Sequence, residues 1–305
     1  MRMPSLCRGV FGLGLGLLLA GAACAGPPTP MLWKVSKGES TVYLLGSMHF
    51  LKDGDYPLSP DVDAAYKDAE KLVFEISPAE LSSPAAIAIT LQHGMYQDPN
   101  HKLQDDLQPT TWQELVSYGA KNNLPVAALQ KFEPWMASLT LIALESQKMG
   151  MKADMGLDMH FMNMATADHK PTAGFETVDQ QLAIFYTSPL KTQEDMLRQS
   201  LDEIADFPKE MNKEHDTWRS GDSVAMLAEA KKEFAKYPEL YQKILAQRNR
   251  NWIPQIEKML DGGKDDTLVI VGALHLAGPD GVVHLLQQKG YAVEQICTGC
   301  AKAGR

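Results

Sequence analysis

The sequence predicts an α/β protein with a mixed central β-sheet, flanked by helices, and a largely helical middle insertion. Strand patterns alternate with helix patterns near both ends of the chain, and the middle, from about residue 77 to about residue 260, has mostly helical patterns. An alternation of strands and helices is typical of a sheet covered by helices. We expect residues 26–305 to form a single domain, because a chain of this length can bury one large core.

Residues 1–25 have the features of a secretory signal peptide. A basic start is followed by the apolar run Val10–Ala20, and small residues end the segment at Ala25, where cleavage is expected. The apolar run is too short to span a bilayer, and no later stretch reaches the roughly 18 apolar residues of a transmembrane helix. We therefore predict a periplasmic or secreted protein. A lipid anchor at Cys24 is disfavoured because no large aliphatic residue stands three positions before it.

Charge and cysteine content argue against nucleic-acid binding, a zinc site and a redox-active cysteine pair. A formal net charge of -9 disfavours nucleic acid as a partner. Cys297 and Cys300 stand near the end of the chain, and in an oxidising compartment we expect them to form a disulfide. A zinc site is disfavoured because it needs about four ligands, and a redox pair because it would stand at the start of a helix.

The first predicted elements are two short strands joined by a Gly-containing turn within Met31–Leu45. Ser59-Pro60 then predicts the start of a helix, because serine is a good N-cap and proline suits the first helical position. Lys71–Ile76 has the pattern of an apolar strand. The stretch Ser77–Glu80 after it has the pattern of a capping box, which predicts another helix.

Later elements follow the same logic. Thr172–Glu176 predicts a short strand within the helical middle, and Thr177–Gln180 is a second capping box. Asp266–Gly272 is a β-branched apolar run, typical of a strand buried on both faces. A helix is expected over Pro279–Lys289 and a last strand over Tyr291–Ile296. Because this is a strand, helix, strand unit, its two strands should be parallel.

A Gly-x-x-His motif occurs twice, each time directly after an apolar strand. The first runs from Gly46 to His49 and the second from Gly272 to His275. Glycine permits the tight turn that leaves a strand, and ligands in open α/β sheets bind at the carboxyl ends of strands. A single histidine in this context is more simply a packing residue. Two in matched contexts predict that their imidazoles converge on one centre if the strands are parallel neighbours.

Two glutamates could complete a site with these histidines. Two imidazoles and one carboxylate are a common ligand set of hydrolytic metal centres. Glu75 lies inside an apolar strand, where an unpaired carboxylate is costly to bury and therefore needs a metal, a cation or several donors. Glu176 ends the strand in the helical middle. Its alternative role is to stabilise the N-terminus of the following helix through an interaction with the helix dipole.

Two other groups of polar residues point less specifically to a functional site. Arg248 and Asn249 lie in a dense Arg and Asn row, and arginine suits the binding of a carboxylate or an oxyanion, although a plain surface patch is an alternative. Asp158 and His160 start a helix, but residues two apart do not share a helix face, so we expect them to cap or lie at the surface. The sequence has no G-x-S-x-G elbow, H-E-x-x-H helix, P-loop or dinucleotide fingerprint.

Taken together, these motifs resemble the TraB/GumN family, whose relatives include the Tiki proteins of animals. The resemblance spans Leu32 to Tyr291. It rests on the stretches L-W-K-V, Y-L-L-G-S-M-H-F-L, V-F-E-I, G-L-D-M-H-F, F-E-T-V-D-Q-Q-L, R-N with the Trp that follows, and V-G-A-L-H-L-A-G-P-D-G-V-V-H-L-L. It implies a fold related to those of erythromycin esterase and the haem-binding ChaN proteins.

The resemblance also implies an activity, because Tiki proteins are divalent-metal-dependent peptidases. On this implication His49 and His275 are metal ligands and Glu75 is a ligand or general base. Glu176 matches a recurrent position of the family and is a further candidate catalytic residue, and Arg248 is a clamp for the substrate or the transition state. The metal would be manganese, cobalt or zinc, and the substrate a peptide or another small molecule in the cell envelope. The alternatives are a module that binds haem or another ligand, and an esterase-like hydrolase that uses histidine without metal.

Overall fold

A computed structural model describes residues 26–262 and 264–298. The predicted signal peptide and the Cys300 end of the predicted disulfide lie outside the described residues. The chain is mixed α/β, as the sequence predicts, and its described part contains one six-stranded sheet in the order β4-β3-β5-β2-β1-β6. The strands are β1 (Leu32–Lys37), β2 (Ser40–Ser47), β3 (Lys71–Ile76), β4 (Thr172–Glu176), β5 (Thr267–Gly272) and β6 (Val293–Gln295).

Helices fill most of the chain between β3 and β5. The α-helices are α1 (Pro60–Asp68), α2 (Pro78–Leu81), α3 (Pro84–Gly94), α4 (Leu103–Asp106), α5 (Pro109–Asn122), α6 (Pro134–Lys148), α7 (Leu157–Ala167), α8 (Val178–Tyr186), α9 (Leu190–Glu203), α10 (Phe207–Ser220), α11 (Ser223–Glu233), α12 (Pro238–Tyr241), α13 (Gln247–Asp261) and α14 (Val282–Gln288). A π-helical turn, Gln242–Ala246, precedes α13, and a 3₁₀ turn, Ala273–Leu276, follows β5. Within the described residues, no helix combines the length and apolar character needed to cross a bilayer.

Four neighbouring strands of the sheet, β4, β3, β5 and β2, are parallel to one another. β1 is antiparallel to both β2 and β6. The strands β5 and β6 therefore run in the same direction, as predicted, but β2 and β1 lie between them. The reason is the tight β1–β2 hairpin, in which Gly38 adopts a φ of +63°. This hairpin occupies the place beside β5, so that the last strand pairs with β1 instead.

Apolar side chains cover both faces of the sheet. In β2 every residue is buried, so alternate side chains such as Leu44 and Leu45 enter two different cores. The core that contains Leu45 includes side chains of α1 and α7, and the core that contains Leu44 includes side chains of α13 and α14. A third core lies among α5, α6 and α9, away from the sheet. This double burial explains the uninterrupted apolar pattern of the central strands.

The two predicted capping boxes differ in the structure. At the start of α8, Thr177 Oγ1 accepts from the Gln180 N–H at 3.2 Å, and Gln180 Oε1 accepts from the Thr177 N–H at 2.9 Å. At the start of α2, Ser77 Oγ accepts from the Glu80 N–H at 3.1 Å, but the Glu80 carboxylate accepts from the Val178 N–H at 3.2 Å. The Glu80 side chain therefore links α2 to α8, and α2 is only four residues long.

Candidate functional site

The two Gly-x-x-His motifs leave the sheet side by side. β2 and β5 are adjacent parallel strands, with Gly46 opposite Val271 and Ser47 opposite Gly272. His49 and His275 both line a cavity of about 270 Å³ at this edge of the sheet. β3 lies on the other side of β5 and brings Glu75 to the same cavity.

Glu75 is held by three donors at the end of β3. Its Oε1 accepts from the Gly272 N–H at 2.8 Å, and its Oε2 accepts from Gln181 Nε2 at 2.9 Å. Arg248 Nη2 donates to the same Oε2 at 2.6 Å. These bonds explain how an apolar strand accommodates a carboxylate, since a buried charge needs paired and hydrogen-bonded partners.

The electrostatic surroundings keep Glu75 ionised. Burial on its own raises the pKa of the Glu75 carboxyl, but His275 when it is protonated at low pH, the charges of Arg248 and His49, and the Gly272 N–H lower it further than burial raises it. The pKa of Glu75 therefore lies well below its usual range. Because its oxygens are already hydrogen-bonded and its pKa is low, Glu75 is a weak proton acceptor at neutral pH.

Arg248 joins the two predicted glutamates. Its Nε donates to Glu176 at 2.9 and 3.2 Å, while its Nη2 donates to Glu75. Trp252 also donates to Glu176 at 2.9 Å, and its ring lies under the Arg248 guanidinium at 4.9 Å. The side chains of Arg248, Glu75 and Glu176 are only 11%, 13% and 10% exposed. Arg248 thus positions two carboxylates, and its nitrogens are directed at protein groups.

His275 is a neutral imidazole in this network. Its Nδ1 lies 2.6 Å from Asn249 Oδ1, and its Nε2 lies 3.1 Å from Arg248 Nη1. Asn249 Nδ2 donates to the Asp280 carbonyl at 2.7 Å, which orients the amide oxygen toward the ring. Nδ1 is therefore the donor and Nε2 the acceptor. Burial, with help from Arg248 and His49 and against Glu75, lowers the pKa of His275 to about 3.

His49 lies in a different environment at the cavity. Its side chain is 59% exposed, and its Nδ1 lies 3.3 Å from the Asp158 carboxylate. Asp158 is the main cause that raises the pKa of His49 to about 9; Glu75 assists, and burial and Arg248 oppose the shift. His49 is therefore an imidazolium at neutral pH. No other contact of its Nε2 is found within the described residues.

The sequence interpretation of Asp158 as a surface or capping residue is therefore incomplete. Asp158 lies in the first turn of α7 and pairs with His49, whereas His160, two positions later, packs against Tyr56 with ring centroids 4.4 Å apart. The different faces of the helix separate the two residues, as the helical spacing predicts. The signal that could have found Asp158 is the glycine two positions before it, in the family stretch G-L-D-M-H-F.

Gly156 holds the start of α7 against the loop that carries His49. The Leu157 N–H donates to the Met48 carbonyl at 3.0 Å, and a Cβ on Gly156 would overlap the carbonyl group of His49. We expect Gly156→Ala to lower the free energy of unfolding by about 1–3 kcal/mol, because backbone atoms must move apart. Urea unfolding measures this loss. Gly54→Ala, where a Cβ would meet nothing within 4 Å, is the control, and equal stability of the two variants would contradict the prediction.

The three predicted metal ligands, His49, His275 and Glu75, line one cavity but do not form a ligand cluster. In the part of the chain that the structure describes, no group of three or more His, Cys, Asp or Glu side chains is arranged to hold a metal ion. The Arg248 guanidinium contacts both Glu75 and His275. A cation in this position repels a second one. As arranged, these residues do not fit a divalent ion bound by the predicted set.

Sequence reasoning missed several side-chain partners of the predicted site residues. Gln181, Asn249 and Asp158 each hold a predicted site residue through one side-chain contact. Gln181 and Asn249 stand in the stretches F-E-T-V-D-Q-Q-L and R-N, which are part of the resemblance but carry no chemical motif of their own. Their roles depend on which helix faces the sheet edge.

Comparison with known proteins agrees with the motifs. The sequence profile of the TraB/PrgY/gumN family matches residues 31–295. The chain is 22% identical over 250 residues to the protein named "Uncharacterized protein YbaP" of Escherichia coli (strain K12), a match that covers 82% of this chain and 89% of that protein. The protein of the same name from Shigella flexneri matches to the same extent. No solved structure gives a significant match. The predicted resemblance is confirmed, and the chain belongs to the TraB/PrgY/gumN family.

Proposed function

We propose that the protein is a hydrolase that cleaves a peptide or ester bond at the cavity, with His49 as its general acid and base. The observation that carries the proposal is the His49–Asp158 pair, whose histidine lines the same cavity as Glu75, Arg248 and His275. A histidine oriented by a carboxylate, with its second nitrogen free, is the arrangement that acid–base catalysis requires.

In the proposed reaction the deprotonated His49 takes a proton from water on Nε2. The water oxygen forms a bond to the carbonyl carbon, and the Asp158 carboxylate stabilises the imidazolium that results. The same proton then passes to the leaving nitrogen or oxygen as the bond to carbon breaks. The products are a carboxylic acid and an amine or alcohol, so that atoms and charges balance.

The buried network supplies rigidity in this proposal. Arg248 binds both Glu75 and Glu176, and Glu75 in turn binds the Gly272 N–H at the start of the second motif. A site built on strand ends and held by such bonds keeps its shape while a substrate binds. We assign Arg248 and Glu176 positioning roles on this basis.

A divalent manganese, cobalt or zinc ion stays a prediction from the family resemblance, and so does export to the periplasm or medium. When bound, such an ion would polarise a carbonyl and lower the pKa of a bound water. Haem binding also stays a prediction, for which visible absorption after haem titration is the measurement. None of the steps above depends on a bound ion or haem.

The experiment is a screen of protein purified without chelators against fluorogenic peptides and esters. Each substrate is tested with a chelator, without it, and with added manganese, cobalt or zinc. We expect hydrolysis that survives the chelator and is lost in His49→Ala. The matched control is His284→Ala, since His284 is a histidine that does not line the cavity.

Each outcome decides one part of the proposal. Loss of activity with the chelator, restored by one metal, would replace the metal-free reaction by a metal-dependent one. An His49→Ala variant as active as the His284→Ala variant would refute the role of His49. A folded wild-type protein that cleaves none of the substrates under any condition would refute the hydrolase itself.

A further inference from the structure

One helix supplies a charged wall of the cavity. Five residues of α10 line it at positions spaced by three and four, so they share one helix face: Glu210, Lys213, Glu214, Thr217 and Trp218. Around the whole cavity, the lining residues include four carboxylates and two permanently basic side chains, namely Glu75, Glu210, Glu214, Glu229, Lys213 and Arg248. The cavity therefore carries an excess of negative charge.

Three of these carboxylates already have basic partners. Glu75 binds Arg248 at 2.6 Å. Glu229 binds Lys213 at 2.8 Å and also Lys232 at 2.9 Å. Glu210 pairs with Lys209 at 3.2 Å.

Glu214 differs from the other three. Among the described residues, neither a hydrogen bond nor an ion pair of its side chain is found. Desolvation raises the pKa of its carboxyl and His49 lowers it, so the carboxyl lies within electrostatic reach of the proposed base.

The remaining lining suits the body of an aliphatic side chain. Apolar residues line the same cavity as Glu214, among them Trp218, Met226, Ile244 and Leu245. Lysine and arginine combine an apolar stem with a cationic head, and such side chains bury the stem while the head meets a polar group. The volume of about 270 Å³ suits one residue of a substrate and the bond next to it, rather than a long segment.

We propose that Glu214 is a specificity-determining residue that binds the ammonium or guanidinium group of a substrate, so that the protein prefers peptides with a lysine or arginine beside the cleaved bond. The inference rests on the proposed hydrolase activity for its reaction, but the binding of the cationic group does not depend on it. A carboxylate that pairs with a cation inside a partly desolvated cavity gives a strong, charge-assisted contact.

The test compares matched peptides that differ only at one residue, which is lysine, arginine, norleucine or glutamate. We expect the wild-type protein to hydrolyse the lysine and arginine peptides with the higher kcat/KM. Glu214→Gln should lower kcat/KM for the lysine and arginine peptides by about 10- to 100-fold. The kcat/KM for the norleucine peptide should stay the same. Asp216→Asn is the matched control, because Asp216 is exposed on the same helix but does not line the cavity.

A second measurement separates this inference from the proposed function. Calorimetry follows the binding of N-acetyl-lysine amide and its norleucine analogue, which need no hydrolysis. Lysine-selective binding that Glu214→Gln abolishes would support the inference even if no peptide is cleaved. Peptide cleavage with equal kcat/KM for all four residues, or an equal loss in Glu214→Gln for the cationic and neutral peptides, would overturn it. Because Glu214 is exposed, the Glu214→Gln variant should fold. Circular dichroism of the variant and the wild type checks this.

Discussion

Replacing Arg248 with methionine should lower the free energy of unfolding by about 3–5 kcal/mol. The substitution keeps an apolar stem but leaves Glu75 and Glu176 without the cation that binds both. Removing one member of a buried ionic group is costly because the remaining charges are neither solvated nor paired. Urea unfolding at neutral pH, followed by fluorescence, measures the loss.

Two comparisons identify the cause of that loss. Arg250→Met, two residues further along the same helix at a side chain 44% exposed, should change the stability by less than about 0.5 kcal/mol. The triple variant Arg248→Met, Glu75→Gln, Glu176→Gln should be more stable than Arg248→Met alone, because it carries no unpaired charge. An Arg248→Met protein as stable as Arg250→Met would contradict the assignment.

The cost of Arg248→Met should also depend on pH. In the wild type the pKa of Glu75 is depressed, so the stability that its charge contributes is present above the unfolded pKa and lost only as pH falls through the low folded value. Without Arg248 the pKa of Glu75 rises. As the pH falls toward the ordinary glutamate pKa, the free energy of unfolding of the variant rises relative to that of the wild type. The difference in stability between the two proteins should therefore narrow.

The second large effect is on activity at His49. We expect His49→Ala to reduce kcat by about 10²- to 10⁴-fold on a substrate that the wild type cleaves, since this is the usual contribution of a general acid or base. The side chain is 59% exposed, so the loss of stability should be small. Steady-state kinetics and an unfolding curve on the same preparation separate the two effects.

Asp158→Asn tests the same assignment through pH. The reactive form of the base is deprotonated, so kcat/KM should rise with pH until it levels near the His49 pKa of about 9. Asp158 is the largest cause of that raised pKa, and removing its charge should move the rise to lower pH. Asp154→Asn, at a carboxylate just before α7, should leave the profile in place. An unchanged profile in Asp158→Asn would contradict the pairing.

The local sequence predicts the strands that position the site. The strands over Lys71–Ile76 and Thr172–Glu176 have the predicted bounds, because each is a short apolar run that ends at a capping serine or threonine. The shared pattern of the two Gly-x-x-His motifs is typical of buried strands, but the adjacency of these strands, on which the convergence of the histidines depends, comes from the strand order of the sheet. The predicted ends of the helices agree less closely with the structure. The one expected over Pro279–Lys289 begins at Val282, after Gly281 serves as its N-cap.

The partners of the site residues depended on tertiary structure. Arg248 meets Glu75 across 173 positions of sequence, and Asp158 meets His49 across 109. No local pattern specifies such distances, because they depend on the order of strands in the sheet and on the helix faces that pack beside it. The predicted metal set is an example, since the sequence identifies its three side chains and Arg248, but not that the Arg248 guanidinium contacts both Glu75 and His275.

The sequence by itself determined an α/β chain of the TraB/PrgY/gumN family with two histidines at matching strand ends. It contains no difference between the two motifs that would predict different charges. Only the tertiary structure decided that His275 is buried beside Arg248 and neutral, while His49 is exposed beside Asp158 and protonated. The physical reason is that a pKa depends on burial and on nearby charges, and both come from distant parts of the chain.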